Sequence, residues 1–261
     1  MSKLSWVFGL GLLLTTVSVS AEEAVALKYH YSPGQVLRYE GKQSMKGESI
    51  VSGSASKFSA ETSWLREWRV IKIEENGNVR LSVTNLRIQV ETTGPDGKKT
   101  SLDTEKGEDN PLRDVVGKPL VEVVLSPNGQ VVEMGEATSK AATPFVDHLR
   151  TQLIPLPTTA VAPATGWQQD LSLPLPPPVG EQGERVRLRQ TFRLEKVVNS
   201  VAIIDLETVP AEEIKDRALL ARIAQFLPSG RIELDLSRGV VRSLELKLDQ
   251  RVENFAGSVS V

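Results

Sequence analysis

Apolar residues alternate with polar ones in a succession of short runs between Val25 and Val252, most of them bounded by Gly, Pro, Asn or Ser. A period of two sends successive side chains to opposite faces, so the pattern predicts half-buried antiparallel strands. Its clearest instance is Gly230–Glu253. Ile232, Leu234 and Leu236 form one oily run, Leu244, Leu246 and Leu248 another, and Ser237-Arg238-Gly239 lies between them. A two-residue turn would set the two runs on opposite faces. A three-residue loop with a left-handed Gly239 pairs Leu236 with Val240 and gathers both runs on one face, so a hairpin with a bulge at Gly239 is expected. A lone two-stranded ribbon is marginal in water, and this one needs a cover for its oily face.

The same reasoning places the other elements. Val25, Leu27, Tyr29 and Tyr31, then Leu37 and Tyr39, flank Ser32-Pro33-Gly34-Gln35, which has Pro and Gly where a type II turn wants them. A first hairpin is expected there. Residues 47–60 are Gly/Ser-rich and weakly patterned, an exposed strand or a loop. Trp64, Trp68 and Val70 share a face and lead through Asn76-Gly77, a two-residue turn signal, into Val79, Leu81 and Val83. The parity then slips to Leu86, Ile88 and Val90, which predicts a bulge near Asn85. After the polar excursion Gly94–Pro111, Leu120–Leu125 and Val131–Met134 form a hairpin around Ser126–Gln130.

Thr143-Pro144 reads as a helix start, and Phe145, Leu149 and Leu153 keep helical spacing up to Pro155. Residues 155–178 hold seven prolines, which predicts a stiff surface connection. Val186–Leu194 and Val201–Val209 are strands joined at Asn199-Ser200, and Pro210–Leu227 has helical spacing. Two stretches then align in order: Trp68–Ile73 with Phe192–Val197, and Val121–Ser126 with Ile232–Ser237. This order suggests an internal duplication. The predicted fold is α+β and mostly antiparallel β: a curved sheet or open barrel from two duplicated halves, with two short covering helices. Its divisions are a leader over 1–21, a first β-rich half over 22–140, a helix and Pro-rich connection over 141–180, and a second β-rich half over 181–261. These form one compact domain or two intimately packed halves.

The leader changes the picture of compartment. Lys3, the apolar run Trp6–Leu14 and the small residues Val19-Ser20-Ala21 have the order of a cleaved signal peptide, with export to the periplasm or the exterior as its consequence. Mature protein is expected to begin at Glu22, and no later run is long enough to span a bilayer. The whole chain carries 31 basic and 33 acidic residues, a net charge of −2, and loses one positive charge with the leader. That balance offers nucleic acid no basic surface. There is no cysteine, which removes disulfides, thiolate metal sites and cysteine nucleophiles together. An exported chain of this kind depends on its hydrophobic core.

The Tyr29–Tyr39 opening around Pro33-Gly34, the Gly166-Trp167 pair after a Pro-rich run, and the paired hairpins resemble a family of uncharacterised exported bacterial β-rich proteins. At fold level the architecture is also similar to the periplasmic lipoprotein carriers, half-open barrels lidded by helices. That resemblance implies an apolar or acyl ligand, and no functional residue carries over with it.

Candidate chemistry is sparse. The two histidines, His30 and His148, lack the paired spacing of a metal site. No Gly-x-Ser-x-Gly elbow or phosphate-binding glycine loop occurs in the body of the chain. Asp103, Glu105, Glu108 and Asp109 do not match a calcium loop and read as a solvated surface. No cofactor or metal is expected. The aromatic set Trp64, Trp68, Trp167 and Phe192 has two readings, the lining of an apolar pocket or ordinary core filling. The sequence is therefore read as an exported non-catalytic protein that binds an apolar small molecule or lipid within a curved sheet. A structural or protein-interaction module of the cell envelope, with a filled core, is the alternative.

Overall fold

The computed structural model describes residues 23–51, 54–94, 96–106, 111–175 and 185–248. The leader expected over 1–21 lies outside them, as do Glu108, Asp109 and Val252. The first half is a six-stranded antiparallel sheet. Strands β1 (Val36–Val51), β2 (Ser54–Ile73), β3 (Val79–Thr93), β5 (Pro119–Leu125) and β6 (Val131–Met134) follow one another in space, and β4 (Lys99–Asp103) pairs with the outer half of β3. Helix α1 (Thr143–Gln152) comes next. The second half is a five-stranded meander of β7 (Gly166–Pro174), β8 (Arg185–Val198), β9 (Val201–Pro210), β10 (Ser229–Asp235) and β11 (Val240–Lys247).

Both sheets are open, so the single curved sheet or open barrel expected from the pattern is two sheets instead. The physical reason lies in the connection between them. Pro155, Pro157 and Pro163 have no N–H to give a ladder, which prevents one sheet from running on into the next. Side chains satisfy this connection. Thr151 O accepts from Gln190 Nε2 at 3.1 Å and Leu153 O from Gln169 Nε2 at 3.3 Å. Ile154 O accepts from the Tyr29 hydroxyl at 2.8 Å, Pro155 O from Trp167 Nε1 at 2.7 Å, and Leu156 O from Asn128 Nδ2 at 3.0 Å. The Pro-rich stretch is only in part surface: residues 158–160 and 164–166 are exposed, while Leu156, Val161, Leu173 and Leu175 are buried, and it contains β7.

The opening segment differs from expectation in the same way. Its Pro33-Gly34 turn is present, with Gly34 at φ +75° and Gln35 N–H bonded to Ser32 O. Residues 25–31, however, pair with no strand of the first sheet; a lone bridge joins Val25 to Val161. The segment's apolar side chains are used to join two cores. Leu27 is buried in the core under β8–β10, and Tyr31 packs on the core under β3 and β5. β1 pairs with β2 over its whole length, including residues 47–51 and 54–60 of the weakly patterned stretch.

Elsewhere local signals hold with small shifts. Leu86 is the extra residue of a bulge beside Asn85, because Leu65 faces Arg87 and Arg66 faces Asn85. Asn199 and Ser200, at φ +51° and +62°, make the two-residue turn between β8 and β9. The loop at Asn76-Gly77 takes three residues, closed by Glu74 N–H to Asn78 O. In the last hairpin Gly239 is left-handed at φ +62°, but Leu236–Gly239 is a four-residue loop with Asp235 opposite Val240. The bulge falls at Arg242, since Leu234 faces Val241 and Glu233 faces Ser243. That bulge restores the predicted outcome: Leu244 and Leu246 join Ile232 and Leu234 on one core. Of the helix expected over Pro210–Leu227, residues Arg217–Ile223 are helical (α2) and continue into one 3₁₀ turn.

The two meanders share a strand order and a register detail. Ile71 is bulged in β2, between Val70↔Leu81 and Lys72↔Arg80, and Glu195 is bulged in β8, between Leu194↔Ile204 and Lys196↔Ile203. Matching Trp68–Ile73 to Phe192–Val197 puts both bulges at one position. The second match is displaced: Leu125 lies opposite Val79 as Leu234 lies opposite Ala202, two residues from the Leu236 that the strings suggest.

Candidate functional site

A cleft of about 1000 Å³ opens between the two sheets. One wall is the ribbon of β1 and β2. Because β-strand side chains alternate, the odd residues of β1 and the even residues of β2 share a face: Leu37, Tyr39 and Met45 with Phe58, Trp64 and Trp68. The opposite wall is the free edge of the second sheet, where Val241, Leu244 and Leu246 of β11 face in. The C-terminal end of α1 and the start of the Pro-rich link close the floor with His148, Gln152, Leu153 and Ile154. Phe226 and Pro228 line the cleft from the stretch before β10.

Two glycines let the aromatic rings lie flat on the ribbon. Gly41 faces Trp64 across the strands and Gly47 faces Phe58. A Cβ at either position would collide with the ring of its partner, so each ring covers its glycine directly. Tyr39 meets Trp68 edge-on, centroids 6.4 Å apart at 83°. Tyr29 and Tyr31 stack at 5.6 Å on the inner side.

The polar groups of the floor are few. Arg66 is buried, 5 % exposed, and lines the cleft between Trp64 and Trp68 on the same strand face. Its Nε donates to Asn85 Oδ1 at 3.0 Å and its Nη1 to Gln152 Oε1 at 3.2 Å, and its guanidinium lies 5.9 Å from the Trp64 ring centroid. Burial brings its pKa down to about 10. Burial first, and the charge of Arg66 second, lower that of His148. Burial pushes the Tyr39 phenol up to about 12 and raises Tyr29 and Tyr31 as well. All three phenols are thus neutral near pH 7. The Thr151 hydroxyl is committed to the His148 carbonyl at 2.8 Å. The cleft presents an apolar aromatic surface with a cation at its base.

No family model, curated protein or solved structure matches the chain.

The four aromatic residues singled out in the sequence separate into two pairs. Trp64 and Trp68 are half-buried and line the cleft. Trp167 and Phe192 stack on each other at 5.6 Å and 13° in the core of the second sheet, where Phe192 is fully buried. Asp103 and Glu105, the described part of the acidic loop, are taken up by Arg87 at 3.0 and 3.2 Å. Among the described residues no cluster of His and acids could hold a metal, and no helix is long and apolar enough to cross a membrane. Pattern reading missed Arg66, Tyr39 and Phe58. The signal for Arg66 was legible: in Trp64-Leu65-Arg66-Glu67-Trp68, strand parity puts the arginine on the face of the two tryptophans.

Proposed function

We propose that this is an exported, non-catalytic binding protein that holds an apolar, lipid-like ligand in the cleft between its sheets. The observation that carries the reading is the open aromatic cleft itself. Its volume lies at the upper end of the roughly 300–1000 Å³ usual for ligand pockets, and its walls are chiefly aromatic and aliphatic side chains. An envelope interaction module with a filled core would have no use for that space, which is why the ligand reading is preferred. The order of Lys3, the apolar run Trp6–Leu14 and the small residues Val19-Ser20-Ala21 supports export.

The test is mass spectrometry of organic extracts from natively purified protein, joined to titration with the fluorescent apolar probe N-phenyl-1-naphthylamine. A co-purifying lipid, or probe binding that the lipid displaces, is the expected result. Lipid-free extracts together with no probe binding would overturn the reading.

We also infer that the two meanders descend from one duplicated unit. The shared strand order and the matching bulges at Ile71 and Glu195 support this. So does a buried polar pair at equivalent places, Arg66 facing Asn85 in one sheet and Gln190 facing Thr208 in the other. Both pairs meet the end of α1, through Gln152 and Thr151. Superposition of β1–β3, β5 and β6 on β7–β11 as one rigid body, with Leu125 falling on Leu234, is the outcome expected.

A further inference from the structure

Among the charged side chains that line the cleft, Arg66 alone is buried, and no acid is paired with it. Of the other cations that line the cleft, Lys42 pairs with Glu61 at 3.2 Å, Arg242 with Glu233 at 3.9 Å, and Lys247 with Glu245 at 3.2 Å; Lys46 and Arg222 line it as well. Arg66 is buried with neutral partners, the Asn85 and Gln152 side-chain oxygens and the Trp64 ring. An ion withdrawn from water is costly unless a counter-charge meets it. A guanidinium has five N–H donors, and the two hydrogen bonds on Nε and Nη1 leave the others on Nη1 and Nη2. That is the end of the fork which grips an oxyanion in bidentate fashion.

The neighbours are arranged to hold the fork in place. Asn85 turns its oxygen to Arg66 Nε, and its own Nδ2 then has no partner among the described residues. An amide with no other duty would not be buried in that state; here it fixes the direction in which the guanidinium points. Gln152, on the last turn of α1, braces the other side.

We propose that the cleft takes a single-chain amphiphile with an anionic oxyacid head, and that Arg66 receives the head while the aromatic wall of β1 and β2 takes the chain. This rests on the ligand reading above and narrows it to a class: long-chain carboxylates or alkyl phosphates, which share an oxyanion on an apolar tail. Neutral lipids of equal chain length fill the same wall and leave Arg66 uncompensated.

The experiment is calorimetric titration of the delipidated protein with dodecanoate, dodecyl phosphate and dodecanol, each below its aggregation limit. At least one anion is expected to bind about tenfold or more tighter than the alcohol, and the tighter anion names the head. Arg66→Gln is expected to abolish the preference for the anion over dodecanol. Equal affinities for all three in the native protein would overturn the proposal and leave the apolar-ligand reading standing. Binding of none would overturn both. An Arg66→Gln protein that keeps the preference would place the head elsewhere. A readout in the native protein guards against a variant that does not fold. His148 also lines the floor and is depressed by burial first and by the charge of Arg66 second, so its NMR titration midpoint should be higher with dodecanoate or dodecyl phosphate bound than with dodecanol bound. A midpoint no higher with a bound anion than with bound dodecanol would contradict a head at Arg66.

Discussion

Trp167 donates its indole N–H to the carbonyl of Pro155 at 2.7 Å while its ring stacks on Phe192. The bond ties the Pro-rich connection to the second sheet at a point where no backbone donor is paired with that carbonyl. Trp167→Phe keeps the stack and orphans a carbonyl, which should cost about 1–2 kcal/mol. Trp167→Ala loses the ring as well and should cost more, about 3–5 kcal/mol at most for a half-buried site. Urea midpoints of the two variants check this. Indistinguishable midpoints for Trp167→Phe and the native protein would mean that the bond contributes nothing.

Gly239 is held at φ +62° against the opening segment, where His30 N–H bonds to its carbonyl at 3.0 Å. A left-handed backbone costs a residue with a Cβ roughly 1–2 kcal/mol. At Gly239 that Cβ would also run into the backbone nitrogen and ring of His30. Gly34, at φ +75°, has open space around it and supplies the control. Gly239→Ala is therefore expected to lower stability distinctly more than Gly34→Ala. Equal urea midpoints for the two would show that the contact with His30 is dispensable.

His148 should make stability pH-dependent. Its folded pKa is depressed by burial and by Arg66, while an unfolded histidine takes up its proton near pH 6.5. The unfolded state thus binds more protons in between. The contribution of this group is complete above about pH 6.5 and is lost as pH falls through the folded value. His148→Gln should flatten the slope of unfolding free energy between pH 7.5 and 5.5. A variant as pH-sensitive as the native protein in that window would rule this source out.

Gly41 carries a prediction about the cleft. Its missing side chain is where the Trp64 ring lies, so Gly41→Val must push the indole off the ribbon and into the cleft. Affinity for N-phenyl-1-naphthylamine is expected to drop about tenfold, with a shift of tryptophan emission. The valine itself suits a strand, so the global fold should persist by circular dichroism. Unchanged probe affinity would show that Trp64 is not part of the binding wall.

What could be read from the sequence was local. Alternation marked β3, β8, β9 and β10 because a strand with one wet face shows its period wherever it lies. Turn residues marked Pro33-Gly34 and Asn199-Ser200, since a positive φ is a demand of the residue itself. The slip of parity near Asn85 revealed a bulge for the same reason. Of the site, the sequence supplied Trp64 and Trp68; Arg66 was missed, although strand parity puts it on their face.

Tertiary structure decided the rest. Val25–Tyr31 alternates as well as any strand, yet it lies across two cores, because its apolar residues find partners contributed by distant segments. The start of the Pro-rich connection is buried because Gln169, Gln190, Tyr29 and Trp167 supply the donors its carbonyls need, and no local rule foretells donors that far along the chain. Gly239 was legible as left-handed, but the Arg242 bulge depended on fitting β11 to β10 over a common core. The cleft belongs to neither half alone. It exists where the edge of one open sheet faces the ribbon of the other across the end of α1, and only the packing of the two sheets brings Arg66 to its floor.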